Sequence, residues 1–204
     1  MIEDVLNSRL STLIWLFLFA SFIIRFLDYS LLYVPVMIVG NPEKAGLLIF
    51  TVFNYLPRML YAGIKVTLIA SVLYGAIHFV GVKPENGQPV FVSLFKTVLA
   101  AEGIFLLHFL ARLGYFVIFE PDYTLSDYSE FNPLSIGSLS QVESPLFADF
   151  MKNLNIFKLF QVLILIFGVT EIISSSIRKS VGIVVASYGG AYFVWEMFWA
   201  YLYL

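Results

Sequence analysis

Five long apolar runs set the plan of this chain, most of them closed by a polar or helix-breaking cluster. A helix needs about 20 mainly apolar residues to cross a hydrocarbon core. The runs at residues 10–39, 64–82, 90–119, 154–174 and 181–203 are of that order. The first ends at Gly40, Asn41 and Pro42, the second at the turn sequence Lys83 to Gly87, and the third at Glu120 and Pro121, all of them signals that stop a helix. Between the first two runs, residues 45–57 are apolar but too short to span before Pro57. Thr51, Asn54, Arg58 and Lys65 recur there at helical steps and form one polar stripe. The pattern predicts an all-α membrane protein of five transmembrane helices with a short interfacial helix before the second. One long tilted helix over residues 45–82 is the alternative.

Residues 120–151 differ in kind. They hold six acidic side chains, Glu120, Asp122, Asp127, Glu130, Glu143 and Asp149, and are divided by Pro121, Pro133 and Pro145. Turns and one brief helix are expected, not a separate domain. The whole of residues 1–204 therefore reads as a single five-span transmembrane domain.

Composition agrees. Of 204 residues, 60% are hydrophobic and 13% charged, more apolar surface than a water-soluble domain of this size covers. Without cysteine there is no disulfide or thiolate chemistry, and two histidines leave little for a metal. A net charge of -2 with scattered lysines and arginines argues against nucleic acid as a partner. Glu3 and Asp4 precede the first apolar run, and no small-residue cleavage site follows, so the run is expected to be a retained span.

Lysine and arginine near the span ends set orientation. Arg9, Lys83, Lys96, Arg178 and Lys179 fall on one side, and Lys44, Arg58, Lys65, Lys152 and Lys158 on the other. Arg178 and Lys179 sit in the tightest loop, against the headgroups, and break the tie. The N-terminus is expected in the cytoplasm and the acidic loop on the opposite side.

Ionisable residues inside spans are the functional candidates, because a charge at the bilayer centre costs about 2.5–3.5 kcal/mol even on insertion scales. They are Arg25, Asp28, Lys65, His78, Lys96, Glu102, His108, Arg112, Lys158, Glu171 and Glu196. Counting residues from the loop near Ile177 places Lys158 and Glu196 at similar height on antiparallel neighbours, so they are expected to pair. Asp28 and Arg112 lie in corresponding halves of parallel spans and form the second expected pair. Glu102 and His108 would belong to a polar path if the protein were a transporter; internal ion pairs and snorkelling side chains are the plainer reading. No intramembrane serine–histidine, paired-aspartate or histidine–glutamate zinc motif is present, so neither catalytic residues, a metal nor a cofactor is expected. Gly182, Ala186 and Gly190 recur at steps of four, a spacing that lets helices approach closely, most simply within the chain. The aromatic residues after Gly190 suit an interfacial belt.

The segment Phe131 to Leu139, FNPLSIGSL, is followed by NLNIFKLFQVLILIFGV from Asn153, then a tight loop and a last span. This arrangement resembles the Yip1-domain family of five-span membrane proteins, in its bacterial form. The matching positions are Asn132, Pro133, Leu134, Ser135, Phe157, Gln161 and Gly168, and the likeness covers about the last 75 residues. The Asp-Leu-Tyr-Gly-Pro-like motif and long polar N-terminal region of eukaryotic members do not occur here, so binding to small GTPases is not carried over. What the resemblance implies is a five-span fold in a bacterial cytoplasmic membrane and a noncatalytic role as scaffold or accessory subunit. The partners would be the lipid bilayer and other membrane proteins or a second copy. The alternative is a small permease or channel component with a polar path through Asp28, Glu102, His108 and Arg112. Physically, FNPLSIGSL reads as a turn at which the chain re-enters the membrane, Pro133 stopping the helix and Asn132 and Ser135 satisfying free backbone groups.

Overall fold

The structure, a computed structural model, describes residues 2–33, 48–81, 89–132, 134–135, 151 and 154–202. Pro133, the end of the first expected span (34–39) and the loop positions Glu143, Pro145 and Asp149 lie outside the described residues, as do the side chains of Thr51, Asn54 and Arg58.

The described residues are all-helical in architecture, and among them are five helices long and apolar enough to cross a membrane: Leu10–Tyr33, Leu60–Phe79, Val90–Ile118, Ile156–Ile173 and Ile177–Phe198. In chain order the elements are α1 (Ile2–Asn7), α2 (Leu10–Asp28), a π-turn (Tyr29–Tyr33), α3 (Leu48–Phe79), α4 (Val90–Ile118) and α5 (Leu125–Glu130). They continue with α6 (Ile156–Ile173), α7 (Ile177–Val184), a second π-turn (Val185–Gly189) and α8 (Gly190–Leu202). The segment expected to lie at the interface and the second span form one continuous helix, α3. Of the two sequence readings the chain takes the long helix. Pro57 falls in its tenth position, where a proline removes a hydrogen bond without ending the helix when its surroundings hold it.

Helix α4 is the hub, packed against α1, α2, α3 and α6, while α6 also packs on α7 and α3 on the last span. Leu73, Leu94, Val98, Leu165, Val169 and Val184 meet in the fully buried centre. The outer faces carry large exposed apolar side chains such as Trp15, Phe19, Leu68 and Phe167, the arrangement of a bundle whose surroundings are hydrocarbon.

Ends are set by local chemistry. Asn155 caps α6 by accepting from the Lys158 backbone at 2.9 Å, and Ser174 closes that helix in the left-handed conformation (φ 44°) before the short turn into α7. Thr124 and Asp127 form a reciprocal capping box on α5. Pro89 precedes α4, where its fixed φ suits a helix start.

Among the described glycines, Gly168 has the tightest surroundings. A Cβ added there would lie 2.1 Å from Thr97 Cγ2, 2.8 Å from Thr97 Oγ1 and 3.0 Å from Thr97 Cβ, so only glycine lets α6 sit this near α4. The expected close-packing residues of the last span do not play this part. Gly182 and Ala186 are exposed, and a Cβ on Gly182 or Gly190 would meet nothing within 4 Å. The inward stripe is Ser180, Val184 and Tyr188. It is offset by two residues, about 200° round a helix, which turns the small-residue stripe outward.

Candidate functional site

Three polar clusters are strung along α4, and each draws its partners from different elements. The deepest centres on Glu102, which is 8% exposed. Lys65 on α3 donates to Glu102 Oε2 at 2.8 Å, and Gln161 on α6 donates its amide to Glu102 Oε1 at 2.5 Å. Tyr188 on the second π-turn donates to Gln161 Oε1 at 2.7 Å and accepts from Lys158 Nζ at 2.6 Å. Donors therefore run from Lys158 through Tyr188 and Gln161 to Glu102, where Lys65 arrives from the other side. Four membrane-spanning segments are joined by one chain of bonds. Gln161 is fully buried, and leaving any such group unpaired costs about 1–3 kcal/mol, more for a charged one.

The second cluster closes a triangle. Arg112 Nη2 lies 2.5 Å from Asp28 Oδ2, and its Nε donates to Oδ1 at 3.2 Å, a bidentate geometry. Tyr128 on α5 donates to Asp28 Oδ2 at 2.7 Å and accepts from Arg112 Nη2 at 3.0 Å, with the guanidinium 4.5 Å over its ring. Asp28 ends α2 at the start of the first π-turn, and Tyr123 satisfies the carbonyl of Leu32 in that turn at 2.6 Å. The acidic segment after α4 is thus tied to α2 by two tyrosines.

The third cluster holds Asn132, Leu134 and Ser135 of the FNPLSIGSL segment. His108 Nε2 and Asn155 Nδ2 both meet Asn132 Oδ1, at 3.0 and 3.2 Å. Since the oxygen accepts, Nε2 carries the imidazole proton. Leu134 adopts a left-handed conformation (φ 58°), its exposed side chain turned away while its carbonyl accepts from Ile156 at 3.3 Å, and Ser135 bridges to Asn155. Asn132, Leu134 and Ser135 thus meet the residues that start α6.

Asp28 and Arg112 are therefore brought together. Lys158 and Glu196 line one cavity and act on each other electrostatically, while the Lys158 ammonium donates to Tyr188. Glu102 and His108 do not share a path, since one bonds to Lys65 and Gln161 and the other to Asn132. Arg25 lies over the Phe109 ring at 4.8 Å, and Lys96 donates to the Leu6 carbonyl at 2.7 Å at the end of α1. His78 and Glu171 are exposed.

Sequence reasoning passed over Tyr188, Tyr128 and Asn155. A tyrosine in an aromatic-rich span gives no outward sign that its hydroxyl is a buried relay of hydrogen bonds. Asn155, three residues before Lys158, carries the signature of a helix cap and could have been found.

Among the described residues no group of three or more His, Asp or Glu side chains could hold a metal ion. At the solvent-facing α5, Thr124 hydrogen bonds hold the Asp127 carboxyl below its ordinary value.

The network borders a cavity of about 300 Å³ between α3 and the last span, whose polar lining is Lys65, Lys158, Glu196, Tyr61, Tyr188 and Tyr192. Neither a known protein family, nor a curated protein, nor a solved structure matches the chain.

Proposed function

We propose that the protein is a noncatalytic scaffold or accessory subunit of the Yip1 type, set in a bacterial cytoplasmic membrane with its N-terminus in the cytoplasm, that organises lipid or partner membrane proteins. One observation carries the reading: the deep hydrogen-bond chain from Lys158 to Glu102 passes through the side-chain amide of Gln161. A proton path needs groups that can both take up and release a proton, and a primary amide does neither readily. The chain of bonds is suited to fastening α3, α4, α6 and the last span together and not to conduction.

The helices support the same reading. α4 and α6 run unbroken, whereas transporter sites of the common type lie at half-helix ends near the midplane. The runner-up path through Asp28, Glu102, His108 and Arg112 falls into three separate clusters.

The test has two arms. Purified protein in liposomes is expected to carry no flux of protons or small ions above empty vesicles, and affinity capture from native membranes is expected to retain specific membrane proteins. Flux that disappears in Glu102→Gln while the protein remains folded would replace this reading with the permease.

A further inference from the structure

We propose that the cavity between α3 and the last span is a binding site for an anionic amphiphile of the bilayer, its charged head against Lys158 and its chain along Leu68, Ile69 and Val72. The site stands apart from the scaffold reading and holds whether or not that reading survives.

The cavity is amphipathic in a fixed direction. Lys158 lies fifteen residues from Ile173, about 23 Å along the helix from the turn that joins α6 to α7. Val72 lies seven residues from Phe79, about 10 Å from the same end of the bundle. In a hydrocarbon core about 30 Å thick the lysine therefore sits near one boundary and the apolar wall runs inward from it. A lipid of that leaflet presents head and chain in this order. The mouth faces the bilayer, since Tyr61, Ile64, Leu68 and Trp195 on its rim are all exposed.

Charge selects the head. Of the charged groups lining the cavity, Lys65 is already matched by Glu102 at 2.8 Å. Lys158 is 7% exposed; Glu102 and Glu196 act on it electrostatically, but among the described residues neither carboxylate comes within 4.0 Å of it. An ammonium has three N–H donors, and Tyr188 takes one at 2.6 Å. The rest of its surroundings are ring faces, Tyr192 at 4.0 Å, Tyr188 at 5.1 Å and Phe105 at 5.6 Å from their centroids. Aromatic faces soften the cost of the buried charge without neutralising it. A carboxylate or phosphate head would accept directly from the remaining donors of Lys158. Glu196, which interacts with the Tyr192 hydroxyl one turn before it, sets the far edge and disfavours a head with a second negative charge. The second π-turn shapes the site, because it carries Tyr188 inward and leads into the wall formed by Ala191, Tyr192 and Trp195.

The test uses the full-length protein in phosphatidylcholine nanodiscs with three diazirine probes of matched chain: a free fatty acid, a phosphatidylglycerol and a phosphatidylcholine. Adducts are mapped by mass spectrometry. The expected result is labelling of α3 and the last span around Leu68 and Trp195 by an anionic probe about tenfold above phosphatidylcholine, the size of one charge-assisted contact. Whichever of the fatty acid and phosphatidylglycerol labels identifies the source of the head. Lys158→Met is expected to reduce anionic labelling to the phosphatidylcholine level. Leu68→Trp fills the cavity without touching the network and is expected to abolish labelling there; it decides alone should Lys158→Met not yield monodisperse protein. Equal labelling by anionic and zwitterionic probes, adducts spread evenly over the lipid-facing surface, or labelling unchanged by the variants would overturn the proposal.

Discussion

Gly168→Ala tests the packing of α6 against α4. The added methyl would sit 2.1 Å from Thr97 Cγ2 and 2.8 Å from Oγ1, against the 3.5–4.0 Å of an ordinary carbon contact. Rotating the threonine about χ1 moves both atoms, but Thr97 Cβ at 3.0 Å moves only with the backbone, so α4 and α6 must separate. Overpacking of this kind costs about 1–3 kcal/mol. The clash lies at its upper end. Alanine in place of glycine in a helix returns about 1 kcal/mol. The expected net destabilisation is about 2 kcal/mol, a fall of about 4–8 °C in the unfolding midpoint for a chain of this length. Thermal unfolding in detergent, followed by size-exclusion chromatography of the fraction remaining monodisperse, measures it. Thr97→Gly in the same chain should restore much of the loss, because it removes every atom of the clash. Gly182→Ala, where the new methyl meets nothing within 4 Å, should leave the midpoint unchanged or slightly raised. A Gly168→Ala protein as stable as the parent, or a Gly182→Ala protein equally damaged, would refute the reasoning.

Further outcomes follow from the other contacts. Arg112→Met should destabilise by about 3–5 kcal/mol, as loss of one partner of a buried pair does, and adding Asp28→Asn should recover part of it in the same unfolding assay. Thr97→Ala should cost little, because the Thr97 hydroxyl is buried with no hydrogen-bond partner among the described residues and its removal offsets the lost methyl. The Asp127 carboxyl is lowered by its Thr124 hydrogen bonds, so the α5 cap is at full strength above the ordinary aspartate value of 3.8 and is lost as pH falls through the lower folded value. Amide hydrogen exchange at residues 125–128 should accelerate only in that acid range. A cysteine placed at Asp127 should react with an impermeant thiol reagent from outside intact cells, and labelling only after the membrane is opened would reverse the proposed orientation.

The five spans were legible because length and apolarity alone decide them. Asp28 and Arg112 were legible too, since both stand on segments that are plain α-helix up to those residues and depth can be counted. For Lys158 and Glu196 the same counting gave the height, and both line one cavity, but the hydroxyl that Lys158 donates to is that of Tyr188, in a π-turn that no residue in VASYG announces. The stripe of Gly182, Ala186 and Gly190 was visible as a pattern, but its direction was not: small residues allow close approach without requiring it. Gly168 stood out only as a position of likeness. That Thr97 faces it depends on the register between two helices, a tertiary quantity absent from either segment by itself.

The bond between Asp28 and Arg112 has a consequence for biosynthesis. The two residues are 84 positions apart, and ribosomes add about 5–20 residues per second, so the aspartate waits about 4–17 s for its arginine. During that interval the first span carries a lone carboxylate toward the lipid. The translocation machinery must keep this helix beside it, or the carboxylate must hold a proton, until the third span emerges. The order of synthesis thus leaves the first helix without its arginine partner until the third has been made.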